Sequence, residues 1–218
     1  LATATLALGW HELDALQQLF AELGHREEAV YVVYDDEGGG WSGRFIWLLD
    51  CIGHSRYHYL NGGWLAWNAE QRPQSQEEPP LGQGELQLTL NDAPTASREY
   101  LQQRLGANDL AIWDARSAAE FSGAKVLAAR GGHIPGAINL EWTAGMDTQR
   151  QLRIRQDIGA LLATHGITAD KEVITHCQTH RRSGFTYLVA KALGYPRVKA
   201  YAGSWSEWGN LPDTPCEL

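Results

Sequence analysis

Apolar and polar positions along the chain follow two periods, and switches between them lay out the elements. "AVYVVY" (29–34) and "EVITH" (172–176) are short β-branched, apolar runs that read as buried strands. Each leads through a turn into a helical apolar pattern that stops at a glycine, Gly53 in the first case and Gly194 in the second. "HELDALQQLFAELG" (11–24) has helical spacing ahead of the first strand. In "SREYLQQRL" (97–105), Ser97 is an N-cap and Gly106 closes the helix. "DLAIWDAR" (109–116) reads as a strand and "HIPGAINL" (133–140) as a turn entering another. "QLRIRQDIGALLATHG" (151–166) has helical spacing, and "VKAY" (198–201) is a last strand before a tryptophan-containing coil. Strands alternating with helices predict an α/β fold, a mainly parallel sheet flanked by helices.

The pattern repeats. With Ser42 placed on Ser183 the offset is 183 − 42 = 141, and without a gap Gly43 meets Gly184, Gly53 meets Gly194, Arg56 meets Arg197, Gly62 meets Gly203, Trp64 meets Trp205 and Trp67 meets Trp208. Two homologous units are expected. Between them "NAEQRPQSQEEPPLGQGE" (68–85) has no apolar periodicity and reads as a linker. The expected organisation is a partial first unit over 1–68, a linker over 69–93 and a second unit over 94–218. The first strand comes so early that the first unit is expected to lack its opening half. Leu1 rather than Met suggests that residue 1 is not the native start.

Composition narrows the reading. The 218 residues are 44% hydrophobic and 20% charged, an ordinary globular balance, and the net charge of −8 argues against a nucleic-acid partner. No apolar run reaches membrane-spanning length and no signal peptide is visible. Three widely spaced cysteines, Cys51, Cys177 and Cys216, suit free thiols in a reducing compartment, so a cytoplasmic location is expected. No metal-binding motif occurs, and neither a metal nor a cofactor is implied.

The chemistry concentrates in "VITHCQTHRRSGF" (173–185), where Cys177 ends a strand and a helix follows. In parallel sheets, sites lie beyond the carboxyl ends of strands. A turn opening a helix points backbone N–H groups inward, and the positive end of the helix dipole favours an anion. His176, His180, Arg181 and Arg182 add positive or proton-donating character. Such surroundings favour a cysteine thiolate, so Cys177 is a candidate nucleophile, and the turn Gln178–Thr179–His180–Arg181–Arg182 is the candidate cradle for an oxyanion substrate. The repeat supplies a control: Asp36 stands where Cys177 does, and Gly38, Gly39, Gly40 and Trp41 replace the polar and basic residues. The turn therefore does not need Cys177 in order to fold.

These residues, with "WDARSAAEF" (113–121), "GGHIPGAIN" (131–139) and "GSWSEW" (203–208), resemble the tandem-domain rhodaneses, the thiosulfate sulfurtransferases. The loop "CQTHRRSG" is especially similar to that of the azotobacter-type bacterial rhodaneses. It departs from the Cys-Arg-Lys-Gly and Cys-Gly-Ser-Gly loops of the mammalian thiosulfate and mercaptopyruvate enzymes, which leaves the physiological donor open. The resemblance implies an inactive first domain, an attack of Cys177 on thiosulfate, a persulfide, and transfer of its sulfur to cyanide or another thiophilic acceptor. It also implies that Arg181 or Arg182 holds the sulfite end of the donor and that Arg116 adds a second anion contact. Three alternatives stay open: a mercaptopyruvate sulfurtransferase, a sulfur carrier serving a protein acceptor, and a phosphatase of the same fold. The phosphatase needs five residues between its cysteine and arginine, and here four separate Cys177 from Arg182.

Other polar residues take plainer readings. Asp114 is expected to fix a loop, His133 to sit in a turn and His176 to pack in the sheet. The paired tryptophans are expected to pack, Cys51 to lie in a core, and Cys216 to be exposed.

Overall fold

The computed structural model describes residues 13–77 and 87–218. Residues 1–12 and 78–86 lie outside them, and with these the middle of the expected linker and the first two residues of the expected 11–24 helix.

Two parallel sheets organise the chain. The larger contains β3 (Leu110–Asp114), β4 (Ile138–Asn139), β7 (Glu172–His176) and β8 (Val198–Ala200) in the order β4-β3-β7-β8, every pair parallel. The smaller pairs β1 (Tyr31–Val33) with β2 (Tyr57–Tyr59), also parallel. The α/β architecture expected from the alternating pattern is present.

Alternation along β7 explains the layering, since successive side chains of a strand face opposite ways. Val173 packs with Ala111, Ile158, Leu162, Phe185 and Val189 beneath helices α6 (Ile158–Thr164) and α7 (Arg182–Ala192). Ile174 packs on the other face with Leu101, Tyr201, Trp205 and Trp208, from α4 (Arg98–Arg104) and α8 (Ser204–Trp208) and the segment between β8 and α8. Helix α4 starts as expected, with Ser97 accepting the Tyr100 N–H at 3.1 Å. A third core joins the two halves. Leu16 and Phe20 of α1 (Leu13–Glu22) and Ile46, Trp47 and Leu49 of α2 (Gly40–Cys51) meet Tyr187, Leu188 and Ala200 there.

Helices α2 and α7 cross at paired glycines. A Cβ on Gly43 would overlap the Gly184 carbonyl, and one on Gly184 would lie 2.6 Å from the Arg44 nitrogen, so only hydrogen allows this approach. About two turns on from the crossing, Lys191 of α7 meets Asp50 of α2 at 3.1 Å, and Tyr187 Oη donates to the same carboxylate at 2.6 Å. Positions related by the 141-residue offset share unusual backbone angles: Gly63 has φ 52° and Ser204 φ 53°, and Gly39 has φ 108° and His180 φ 61°.

Four expectations change. The 151–166 segment is helical only from Ile158. Gln151 and Leu152 are left-handed, and β6 (Arg153–Ile154) pairs antiparallel with β5 (Met146–Asp147), because the apolar positions of 152 and 154 serve a hairpin that packs on the Val173 layer. The tryptophan segments form short helices, α3 (Gly63–Ala69) and α8, rather than coil. Trp205 and Trp208 are fully buried, but Trp64 is exposed. The far end of the linker is not free: Leu88 and Leu90 pack on the α1–α2 core, and the Leu88 N–H donates to Gln17 Oε1 at 3.1 Å. Among the described residues, no helix is long and apolar enough to cross a membrane.

Candidate active site

The cysteine turn begins where β7 ends and is fastened from outside through its carbonyls. Trp205 N–H donates to the Cys177 carbonyl at 2.9 Å and Ser206 N–H to that of Gln178 at 3.0 Å. Arg44 Nη1, from α2, donates to the carbonyl of Thr179 at 2.8 Å. With these carbonyls turned outward the amides turn the other way. Among the described residues, no protein acceptor takes the N–H groups of Gln178, Thr179, His180, Arg181 or Arg182. These groups precede and open helix α7, where amides have no partner of their own and the dipole is positive. The turn closes through His180, whose left-handed φ of 61° is uncommon for a residue with a Cβ.

The matching turn of the first half shows what such amides seek. Between β1 and α2, the Asp35 carboxylate accepts the N–H groups of Glu37, Gly39 and Ser42 at 3.2, 2.8 and 2.9 Å. That turn is filled by a built-in anion, whereas the cysteine turn carries a thiol.

Cys177 is 1% exposed. Its Sγ accepts a hydrogen bond from Ser183 Oγ at 3.4 Å, and Ser183 Oγ lies 2.8 Å from His180 Nδ1. With the serine proton directed at sulfur, Nδ1–H must be the donor to Ser183, so a neutral His180 supports the serine and the serine supports the sulfur. Burial pushes His180 down to about 3, with the Arg44 charge adding to the effect, and pushes His176 down to about 4. The positive character expected of the two histidines is therefore absent near neutral pH, and the cationic part of the site rests on arginines. His176 is wholly buried, 3.5 Å from Asp114 Oδ2, in keeping with its expected place in the sheet.

The three expected arginines have different positions. Arg182 forms a two-pronged pair with Glu120, both contacts at 2.7 Å. Burial alone would raise the Glu120 carboxyl, but hydrogen bonds from Arg182 and from Ser117 outweigh it and hold the group at about 2. Burial works against the Arg182 charge, and Glu120 together with the Cys177 side chain more than offsets it. Arg181 stands further out, 2.9 Å from Glu37 and close to the rings of Trp41 and Trp142. Arg116 is 1% exposed. Its Nε and Nη2 go to Asp114, Nη2 also to the Gly132 carbonyl, and its guanidinium covers the Trp205 ring at 4.4 Å. The second anion contact implied for Arg116 would have to be made by a guanidinium that already carries these bonds. Its guanidinium is locked into the loop-fixing role of Asp114, beneath the wall of the site.

Of the remaining loop residues, Gln178 points away, its Nε2 donating to the Leu127 carbonyl at 3.1 Å, and Thr179 serves through its backbone. His133 stacks on Phe121 at 3.6 Å, Cys51 lies in the core with burial pushing its thiol up to about 12, and Cys216 is half-buried rather than exposed. Sequence reasoning missed Glu37, Arg44 and Trp142, and it quoted Glu120 and Ser183 without a role. Glu120 alone carried a signal, since Ser117-x-x-Glu120 is a capping box, and that box opens helix α5 (Ala118–Phe121). Glu37 and Arg44 belong to the half of the chain treated as scaffold.

A parallel α/β sheet that carries one cysteine inside a turn of inward N–H groups, closed by a helix and a fixed arginine, defines a class of domains built to hold an anion against sulfur. The Rhodanese-like domain family model matches residues 97–211, just over half of the chain. The chain is 71% identical over 205 residues to a thiosulfate sulfurtransferase of Azotobacter vinelandii, covering 94% of this chain and 76% of that protein. It is 72% identical over 204 residues to a thiosulfate sulfurtransferase of Pseudomonas aeruginosa (93% and 75%), and 32% identical to a sulfur carrier protein of Thermus thermophilus (93% and 75%). Among solved structures it resembles in fold an anaerobic ergothioneine biosynthesis enzyme of Chlorobium limicola, with a TM-score of 0.84 at 23% identity, covering 95% of this chain and 55% of that one. The chain belongs to the rhodanese family.

Proposed function

We propose that the protein is a thiosulfate sulfurtransferase that works through a persulfide on Cys177. The observation that carries this reading is the turn itself: amides with no acceptor among the described residues follow a sulfur that already receives a hydrogen bond from Ser183. In the first half-reaction the Cys177 thiolate attacks the outer sulfur of thiosulfate. A new S–S bond forms, the donor's S–S bond breaks, and sulfite leaves with its electron pair. In the second, the carbon of cyanide, or a thiolate, attacks the outer sulfur of the persulfide. Thiocyanate or a new persulfide departs, and the Cys177 thiolate returns. The anion changes at each stage, while the amides, Ser183 and the Glu120-fixed Arg182 stay in place and stabilise each form without reorganising. Arg182 and Arg181 are the donor-binding cations, and Gln178, Thr179 and His180 contribute backbone.

The two halves of the chain then have different tasks. Residues 94–218 form the catalytic domain and residues 1–68 a partial, inactive rhodanese-like unit, joined through 69–93. The offset-related backbone angles at Gly39 and His180, and at Gly63 and Ser204, support a common origin. No nucleic-acid or membrane partner is proposed, and the reducing chemistry of a free thiol suits the cytoplasm.

A second reading, delivery of the sulfur to a protein acceptor, is favoured by the similarity to a sulfur carrier protein. Steady-state assays with thiosulfate and cyanide test the primary reading. Thiocyanate should form in a ping-pong pattern and vanish in Cys177→Ala. Persulfide formation without turnover on cyanide would favour the carrier reading, and phosphate release without thiocyanate would point to a phosphatase.

A further inference from the structure

The mouth of the cysteine turn is bordered by the half of the chain that carries no cysteine in its own turn. Glu37 Oε2 accepts a hydrogen bond from Arg181 Nη1 at 2.9 Å. The same guanidinium carbon lies 5.6 Å from the ring centre of Trp41 and 5.9 Å from that of Trp142, within the range of cation–π attraction. The two loop arginines are held differently. Arg182 is 18% exposed and grips both oxygens of a carboxylate that is 3% exposed, whereas Arg181 is 41% exposed and meets one oxygen of Glu37. The other oxygen, Glu37 Oε1, is buried and has no partner among the described residues. Burial raises the Glu37 carboxyl against the pull of Arg181, and the neighbouring charges of Asp35 and Asp36 add to the rise.

A one-pronged, half-exposed ion pair is weak and open to exchange, and the cation in it stands beside the turn where a dianion must arrive. A carboxylate at that place competes with an incoming anion for Arg181 and repels it as well. We propose that Glu37 is a specificity-determining residue that weakens binding of the anionic sulfur donor by holding Arg181. Between turnovers, Glu37 and the two indoles keep the guanidinium at the mouth; when thiosulfate binds, its sulfonate-like oxygens displace Glu37 as the partner of Arg181. The half without a cysteine in its turn thus acts on the reaction by setting the affinity for one substrate class. Cyanide, which meets a site already loaded with sulfur, gains little from Arg181. This inference rests on the sulfurtransferase reading and concerns the donor half-reaction alone.

Glu37→Gln, which keeps the shape and removes the charge, is compared with the unaltered protein in steady-state thiosulfate:cyanide kinetics. The KM for thiosulfate should fall about two- to fivefold, the size of a partly exposed ion pair, with the KM for cyanide unchanged and kcat moving less than the thiosulfate KM. A gain of affinity is a readout that structural damage would not produce. In an Arg181→Ala background, where thiosulfate binds more weakly, Glu37→Gln should have little further effect. An unchanged or higher thiosulfate KM in Glu37→Gln overturns the proposal, and so does an equal fall in the Arg181→Ala background, which would assign the effect to general charge. Unaltered protein that forms no thiocyanate overturns the sulfurtransferase reading instead, and the inference with it.

Discussion

Replacing Glu120 with Gln tests how far the anion cradle depends on one buried ion pair. The substitution keeps the size of the side chain and one hydrogen bond to Arg182, and it removes the charge. The Glu120 carboxyl is held at about 2 against an ordinary 4.5, and that gap corresponds to about 3 kcal/mol in favour of the charged form in the folded protein. Arg182 keeps an 18% exposed flank, and Gln retains part of the contact, so about 2 kcal/mol is the expected loss near neutral pH. For a chain of this size that lowers the melting temperature by about 4–8 °C. The sign with pH follows from the depressed carboxyl: its contribution is complete above about pH 5 and disappears as the pH falls toward 2. Urea unfolding of both proteins across that range is the assay. Equal stability at pH 7, or a deficit that stays constant down to acid pH, would refute the reasoning.

Three further perturbations probe other links. Gly43→Ala should destabilise the protein by about 2 kcal/mol or more in thermal unfolding, although alanine is the better helix former, because its methyl would meet the Gly184 carbonyl; a stabilised variant would contradict the tight crossing. Ser183→Ala should slow alkylation of Cys177 by iodoacetamide at neutral pH by about threefold to tenfold, through loss of the hydrogen bond to sulfur. An unchanged rate would remove the serine from the site. Arg182→Ala should raise the KM for thiosulfate, and an unchanged KM would leave donor binding to Arg181.

Much of the fold was legible because it follows local rules. Short apolar runs marked β3 and β7, glycines marked helix ends, and Ser97 marked the start of α4. The segment 151–157 misled because its apolar residues fit a helical period as well as a short hairpin, and tertiary packing decided between them. Within the site, Cys177 and its turn were legible because strand, turn and helix are contiguous. The partners of the turn were not. Glu37, Arg44, Glu120 and Trp142 come from four other segments, and nothing local in the sequence announces a pair formed across the fold. Arg116 follows the same rule: the segment identifies the residue, but only the buried carboxylate of Asp114 and the Trp205 ring show what its guanidinium meets.

The central claim is a persulfide on one sulfur, and intact-protein mass after incubation with thiosulfate measures it most directly. The protein should gain the mass of one sulfur atom, lose it on addition of cyanide, and show no gain as Cys177→Ala. A gain that survives in Cys177→Ala, or no gain in the unaltered protein, would contradict the account.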